Sequence, residues 1–375
     1  MKPYIYSILF LISIQTSFSQ TKELILDDSY EVDDSYTLNL NVDNTVIVFE
    51  VSKDNKVHIN YSILFEKDSE EIQYKVFKGI KAKSYKSKNK IYLDVKNTMF
   101  LGELYYINID LESYKANIRD LFKKIKENEF NYKSKDSLIH EIQFSDGTDT
   151  NDYFKKLKLQ NPSNFGKSPK KFRQKLIIKV PEYLKIKIKA LHSIIDFTYN
   201  VNALLDISSF KTYYKFKIIN NEMNVFKLMN GIFQAEKIYG GNYELKDIRK
   251  VRIGSIEKVI LKTETSKIQI GEINENVIYT DYDSKIHLYN FNNSFNYFNF
   301  EGKYTKINLY KVKEANYTMD VLGYNTVLNM DDNTTSFGEA KEKKLTKILQ
   351  KKPKENTIPS GAIEMVLKHG ILNIN

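Results

Sequence analysis

The sequence predicts an all-β protein: a right-handed parallel β-solenoid with an N-terminal β region before it and a short helix-containing insertion between the two. Three observations predict this. The chain holds 27 Tyr and 22 Phe but no Trp, and with its many Ile and Val these residues suit a pleated, half-buried surface. Gly is only 14 of 375 residues while Asn is far commoner, and Asn best tolerates the positive φ of tight turns among residues other than Gly. Finally, a polar turn followed by an apolar, polar, apolar triplet recurs through the second half of the chain.

The elements follow in order. Lys2, an apolar run from Ile5 to Ile14, and small residues at Ser17 and Ser19 make residues 1–19 a signal peptide, with the mature chain starting at Gln20. The apolar run is too short for a membrane span, which needs about twenty residues. No other run of spanning length follows, so the mature chain is expected to carry no transmembrane span and to work in the periplasm, on the outer surface or as a secreted protein. Residues 20–111 form the N-terminal β region. Residues 112–175 form the basic insertion, where Ile118, Leu121, Phe122 and Ile125 lie on one face of a predicted helix over Tyr114 to Phe130.

Residues 176–375 carry the repeats, with a Lys-rich excursion over 338–358. Ser266 and Lys267 precede Ile268, Gln269 and Ile270; Ser284 and Lys285 precede Ile286, His287 and Leu288; Thr305 and Lys306 precede Ile307, Asn308 and Leu309. A looser copy places Leu328, Asn329 and Met330 after Thr326. Ile270, Leu288, Leu309 and Met330 lie 18, 21 and 21 positions apart, a length that matches one solenoid turn per repeat, because a turn of short strands buries its inward row only by stacking on its neighbours. Val259, Leu261 and Thr263 share one parity, as do Val277 with Tyr279 and Phe298 with Phe300, so a strand precedes each polar corner. Parity sends Ile270 inward and Gln269, His287 and Asn308 outward, toward solvent. Earlier turns show at Ile194 to Phe197, Ile232 to Ala235 and Tyr243 to Leu245.

The net charge of +10 is localised. Lys and Arg number 15 against 9 Asp and Glu in residues 112–175, and 7 against 3 in residues 338–358. The rest is close to neutral, so no nucleic-acid partner is expected, and the basicity reads as solvated loops.

Val180 and Pro181 leading into Ile186 and Ile188, the repeats, and the ending His369, Gly370, Ile371, Leu372, Asn373, Ile374 together resemble the putative adhesin family of bacterial cell-surface proteins, over residues 176–375. The resemblance implies an exported β-helix with a surface-binding role and brings no catalytic residues. This chain departs from the family in using Ser266, Ser284 and Thr305, each followed by Lys, where a glycine turn is usual.

Chemistry-bearing patterns are sparse. With no cysteine there is no disulfide, thiolate metal site or thiol nucleophile. His58, His140, His192, His287 and His369 are scattered and read as exposed, structurally neutral residues. Phosphate loops and Gly-x-Ser-x-Gly elbows are absent. Asp146, Asp149 and Asp152 read as a polar turn rather than a calcium loop, and Asp27, Asp28, Asp33 and Asp34 as a solvated leader. A β-helix polysaccharide lyase or hydrolase needs paired acidic groups or a base beside an acidic cluster. Glu264, Asp281, Asp283 and Glu301 fall near turns instead, so neither catalysis nor a cofactor is expected. Tyr279, Tyr282, Tyr289, Tyr304 and Tyr310 form a candidate ligand-binding face for a glycan or another envelope or surface component. The expected function is therefore structural or adhesive, with a glycan-binding module or a lyase as alternatives.

Overall fold

Alternating apolar residues build strands here, and from Lys185–Leu191 to Val327–Met330 short polar corners send successive strands to different sheets. The computed structural model describes residues 20–66, 70–98, 172–293, 295–310, 317–330, 335–339, 346–351 and 359–374. It is nearly all β, with a 13-stranded and a 14-stranded sheet whose strands pair mostly in parallel. The export signal, the helix expected at Tyr114 to Phe130, Asp146, Asp149, Asp152 and His140 lie outside the described residues. The helix that is described is Glu70–Gly79, which the sequence reading did not anticipate. Its Val76 is buried and its Phe77 ring lies 5.7 Å from that of Phe65. Among the described residues no helix is long and apolar enough to cross a membrane.

The chain passes alternately between the sheets, and a strand in the 14-stranded sheet together with its successor in the 13-stranded sheet makes one rung. Val277–Tyr282 and Lys285–Leu288 are one such rung. Rungs stack in register: Ile268 pairs with Ile286 and then Ile307, and Ile270 with Leu288 and then Leu309. Strands on both sides of residues 99–171 share the sheets, since Val46–Val51 pairs with Phe172–Val180 and with Ile194–Phe197.

Each corner from the 14-stranded to the 13-stranded sheet turns on one left-handed residue. Asn44, His192, Lys211, Asn230, Asp247, Thr265, Asp283, Tyr304, Asn325 and His369 occupy these corners with φ between 45° and 59°. Except at Asn325, on the outermost described rung, their N–H groups reach the next rung: Thr265 donates to the Tyr282 carbonyl at 2.8 Å, Asp283 to Lys303 at 2.9 Å and Tyr304 to Lys368 at 2.9 Å. At most corners a buried Ser or Thr follows, among them Thr45, Ser193, Thr212, Ser266, Ser284, Thr305 and Thr326. The Ser266 hydroxyl donates to the Glu264 carbonyl at 2.8 Å, and the Ser266 N–H donates to Ser284 Oγ at 2.9 Å. A glycine is therefore not needed at Ser266, Ser284 or Thr305, because the positive φ falls one residue earlier. At Gly231 the backbone comes so close that an added Cβ would lie 2.1 Å from the Thr212 carbonyl oxygen, so Gly replaces the hydroxyl residue.

The core runs between the sheets as stacked rows. Phe49 stacks on Phe197 at 4.3 Å between ring centroids, and Phe197 on Phe216 at 4.7 Å. Each fully buried side chain of this size contributes about 1.5–3 kcal/mol.

Two expectations are corrected. Gln269, His287 and Asn308 do alternate with the core row, but they are 4%, 2% and 6% exposed rather than solvated. Register stacking places Asp196, Lys215, Gln234, Arg252, Gln269, His287, Asn308, Asn373 and Asn329 in one row along the outward face of the 13-stranded sheet. Neighbours in such a row cover one another: Arg252 Nε donates to Gln269 Oε1 at 3.0 Å, and Asn308 Nδ2 to the Ile286 carbonyl at 3.1 Å. The last repeat is also not next to its sequence neighbour. Leu309 and Met330 both pair with Ile374, so the rung Gly361–Ile374 lies between Tyr297–Leu309 and Tyr317–Met330.

Parity can be tested on one strand, Ile260–Glu264, where Leu261 is 1% and Ile260 50% exposed. Leu261→Ala should cost about 2–5 kcal/mol in urea unfolding, and Ile260→Ala no more than about 0.5 kcal/mol. Equal effects would contradict the two-faced strand.

Candidate functional site

The five candidate tyrosines separate into three environments. Tyr279 belongs to the core: it is fully buried, its ring meets Phe300 edge-on at 5.2 Å, and its hydroxyl lies 3.0 Å from Thr263 Oγ1. Burial holds its phenol well above the ordinary value, and the neighbouring Asp281 adds to the shift. Tyr279 is therefore removed from any ligand-binding face, because alternation along Val277–Tyr282 turns it inward and Tyr282 outward. Tyr289 and Tyr310 stack at 5.2 Å on the outward side of the 13-stranded sheet beside His287, whose Nδ1 lies 3.1 Å from the Tyr310 hydroxyl. Tyr289 is only 3% exposed, so this pair is packing rather than an open surface.

Tyr282 and Tyr304 remain, and the structure brings them together. They are 46% and 47% exposed, with ring centroids 5.7 Å apart and planes nearly perpendicular. On the far side, the His369 ring stacks on Tyr304 at 5.3 Å and 21°. Asn325 Nδ2 lies 2.9 Å from His369 Nδ1. Lys303 Nζ sits 5.2 Å from the Tyr304 ring centroid and 6.0 Å from that of Tyr282. The result is an exposed aromatic ridge across successive rungs, bordered by one ammonium group.

Tyr304 and His369 are corner residues with φ of 59° and 54°. A left-handed conformation costs a residue with a bulky side chain roughly 1–2 kcal/mol, and Asn or Asp least among non-glycine residues. Other corners use Asn44, Asn230, Asp247, Asp283 and Asn325, in keeping with that preference. The backbone alone thus favours Asn at 304 and 369, although His192, Lys211 and Thr265 hold the same kind of corner. Composition and parity reach Tyr282 and Tyr304, but not His369, which becomes their neighbour only through the out-of-order rung.

The acidic residues near the turns are engaged in structure. Glu264 pairs with Lys246 at 2.8 Å and Glu301 with Lys368 at 3.3 Å. Asp283 is a corner residue. Asp281 points into the core, accepting hydrogen bonds from the Thr263 and Thr305 hydroxyls and, at 3.1 Å, from the Ser284 N–H. Burial raises its carboxyl above the ordinary value, against the opposing effect of those hydrogen bonds. His58, expected to play no structural part, lies 2.9 Å from Asp54, whose carboxyl pKa the hydrogen bonds from the Ser52 hydroxyl and then His58 bring down to about 2. His287 is buried, contrary to expectation, because it lies within the stacked outward row. Among the described residues no group of three or more His, Asp or Glu is arranged to hold a metal ion.

No family model matches the chain, and no curated protein matches it. Among solved structures it is similar to a putative cell adhesion protein from Clostridium sporogenes, at 9% identity and a TM-score of 0.18, over 95% of this chain and 99% of that one. That score is too low to define a shared fold.

Asp281 yields a pH prediction. A carboxyl raised in the folded chain binds its proton more tightly there than when unfolded, so its contribution favours folding at low pH and is lost as pH rises through the folded value. The stability of the native chain relative to Asp281→Asn should thus fall between about pH 4 and pH 7, above the ordinary carboxylate range. Urea midpoints at both pH values measure it, and a difference that grows with pH would refute the assignment.

Proposed function

We propose that this chain is an exported, non-catalytic adhesive protein of the cell envelope, whose body is a right-handed parallel β-solenoid and whose corner at Tyr282, Tyr304 and His369 binds carbohydrate. The in-register pairing of rungs and the alternation of the chain between two sheets support the solenoid. Right-handedness follows the rule for parallel crossover connections. The observation that carries the binding role is the exposed run of rings that Tyr282, Tyr304 and His369 form across three successive rungs.

Aromatic faces stack on the apolar face of a sugar ring, while phenol, imidazole and ammonium tips meet its hydroxyls. Lys303 favours glycans that also carry acidic groups. The engagement of Glu264, Asp281 and Glu301 in structural contacts supports binding without chemistry. The signal-like leader supports export, and the resemblance to bacterial surface adhesins agrees with both.

A glycan array probed with residues 20–375 tests the reading. Tyr304→Asn keeps a residue suited to the corner, so its unfolding free energy should stay within about 1 kcal/mol of the native chain, the loss of stacking offsetting the relief of strain. Binding to any array hit should fall roughly tenfold or more, about 1.4 kcal/mol. Binding unchanged in Tyr304→Asn and in Tyr282→Ser, or turnover of the bound glycan, would refute a non-catalytic aromatic site.

A further inference from the structure

The outward face of the 14-stranded sheet is charged in two different ways along its length. From Leu205–Phe210 to Tyr317–Tyr324 acids and bases are intermixed and pair across rungs, as Lys262 does with Glu244 at 3.3 Å, Lys246 with Glu264 at 2.8 Å and Lys368 with Glu301 at 3.3 Å. The other end comprises four adjacent strands, Ile80–Ser87, Lys90–Asn97, Thr37–Asp43 and Lys185–Leu191. There Lys81, Lys83, Lys90, Lys96, Lys185, Lys187 and Lys189 all point outward and are exposed, against two acids, Asp43 and Asp94. Among the described residues only two of these seven form ion pairs, Lys83 with Asp94 at 3.7 Å and Lys187 with Asp206 at 2.6 Å.

Register brings an aromatic pair into the same patch. Tyr85 lies opposite Tyr92, their rings stacked at 4.9 Å and 14°; Tyr85 is 43% exposed, and Lys83 Nζ sits 5.7 Å from its ring centroid. The row continues from Tyr92 through Asn39 to Lys187, and the row beside it runs Lys83, Asp94, Asn41, Lys189. Stacked rings thus lie among ammonium groups, with amides between them.

Structure alone does not call for this arrangement. Edge protection accounts for lysines on Ile80–Ser87, but Lys185–Leu191 is paired on both sides. Lys81 and Lys96 face each other directly in the antiparallel ladder, where like charges oppose pairing.

We propose that this face binds a linear acidic polysaccharide: the ammonium groups meet its carboxylates or sulfates, and the Tyr85 and Tyr92 rings meet the apolar face of a sugar. A membrane surface takes an apolar side that inserts, whereas Leu191 is the one aliphatic residue among the outward positions of these strands. Nucleic-acid phosphates favour the planar fork of Arg and a groove that follows the strand, whereas every cation here is Lys on an open sheet. The patch begins about 24 Å from Tyr282, five strand spacings along the sheet, and stands independently of the corner.

Titration calorimetry of residues 20–375 with polygalacturonate should show saturable binding that weakens roughly tenfold between about 50 and 200 mM salt, and no binding of neutral dextran. Lys185→Gln with Lys189→Gln should lower affinity roughly tenfold at an unchanged melting temperature, and Tyr85→Ser roughly threefold. The basic segment 112–175 supplies the control: Lys123→Gln with Lys124→Gln removes the same charge and should change affinity less than about twofold. Absence of binding overturns the proposal, as does an equal loss from the two lysine pairs or no loss in Tyr85→Ser. So does tighter binding of oligothymidylate than of polygalacturonate, which would make the face a nucleic-acid surface.

Discussion

The left-handed residue at each corner is the constraint on which the remaining architecture depends. Two or three residues must carry the chain from one sheet to the other and still aim a backbone N–H at the next rung. A positive φ achieves both, as the bond from Asp283 to the Lys303 carbonyl illustrates. The residue behind it enters the interior carrying a hydroxyl, and that polar group is tolerated because it returns a hydrogen bond to the strand it has just left. With the corner fixed, register is fixed, and every residue type is then repeated as a row: apolar inside, polar along the outward face, and mixed along the corner itself.

The sequence made the rows visible but not their order. Ile270, Leu288 and Leu309 were legible as one inward row because each follows a polar corner at a similar interval, and they do pair in succession. Met330 fitted the same spacing yet lies one rung further out, since Gly361–Ile374 occupies the place between. Nothing local distinguishes these rungs: Leu372, Asn373 and Ile374 repeat the pattern of Ile307, Asn308 and Leu309. Parity likewise gave the direction of His287 and not its burial, which depends on neighbours two rungs wide. The candidate tyrosines suffered the same ambiguity, since alternation assigns a face only when the strand's register is known.

Out-of-order rungs also constrain how the chain folds. Gly361–Ile374 forms hydrogen bonds to strands on both sides, so neither of its neighbours can be stacked on the other before it arrives. Gly361 and Gly370 suit that position: a Cβ on Gly361 would lie 2.6 Å from the Phe295 carbonyl oxygen, and one on Gly370 would lie 2.8 Å from that of Thr305. Contacts of this sequence separation slow folding because loop closure precedes the hydrogen bonds that stabilise it. At the opposite end, Thr37–Val51 is likewise enclosed, between strands at Lys90–Asn97 and Phe172–Val180 on one side and the rung Lys185–Phe197 on the other.

One scaffold position thus serves two competing demands. The corner backbone favours small polar residues, and where Asn44 or Asn230 sits the local preference and the surface agree. At Tyr304 and His369 they disagree, and a residue poorly suited to the backbone persists where its ring meets another ring across a rung boundary. Stacking of this kind is worth about 0.5–1.5 kcal/mol, the same order as the left-handed cost of roughly 1–2 kcal/mol, so packing alone does not give these residues a clear advantage over Asn. His192, Lys211 and Thr265 sit at the same kind of corner, so the backbone's preference for Asn is a bias of about the size that one ring contact or ion pair offsets, and the residue at each corner is set by what its side chain meets on the neighbouring rungs.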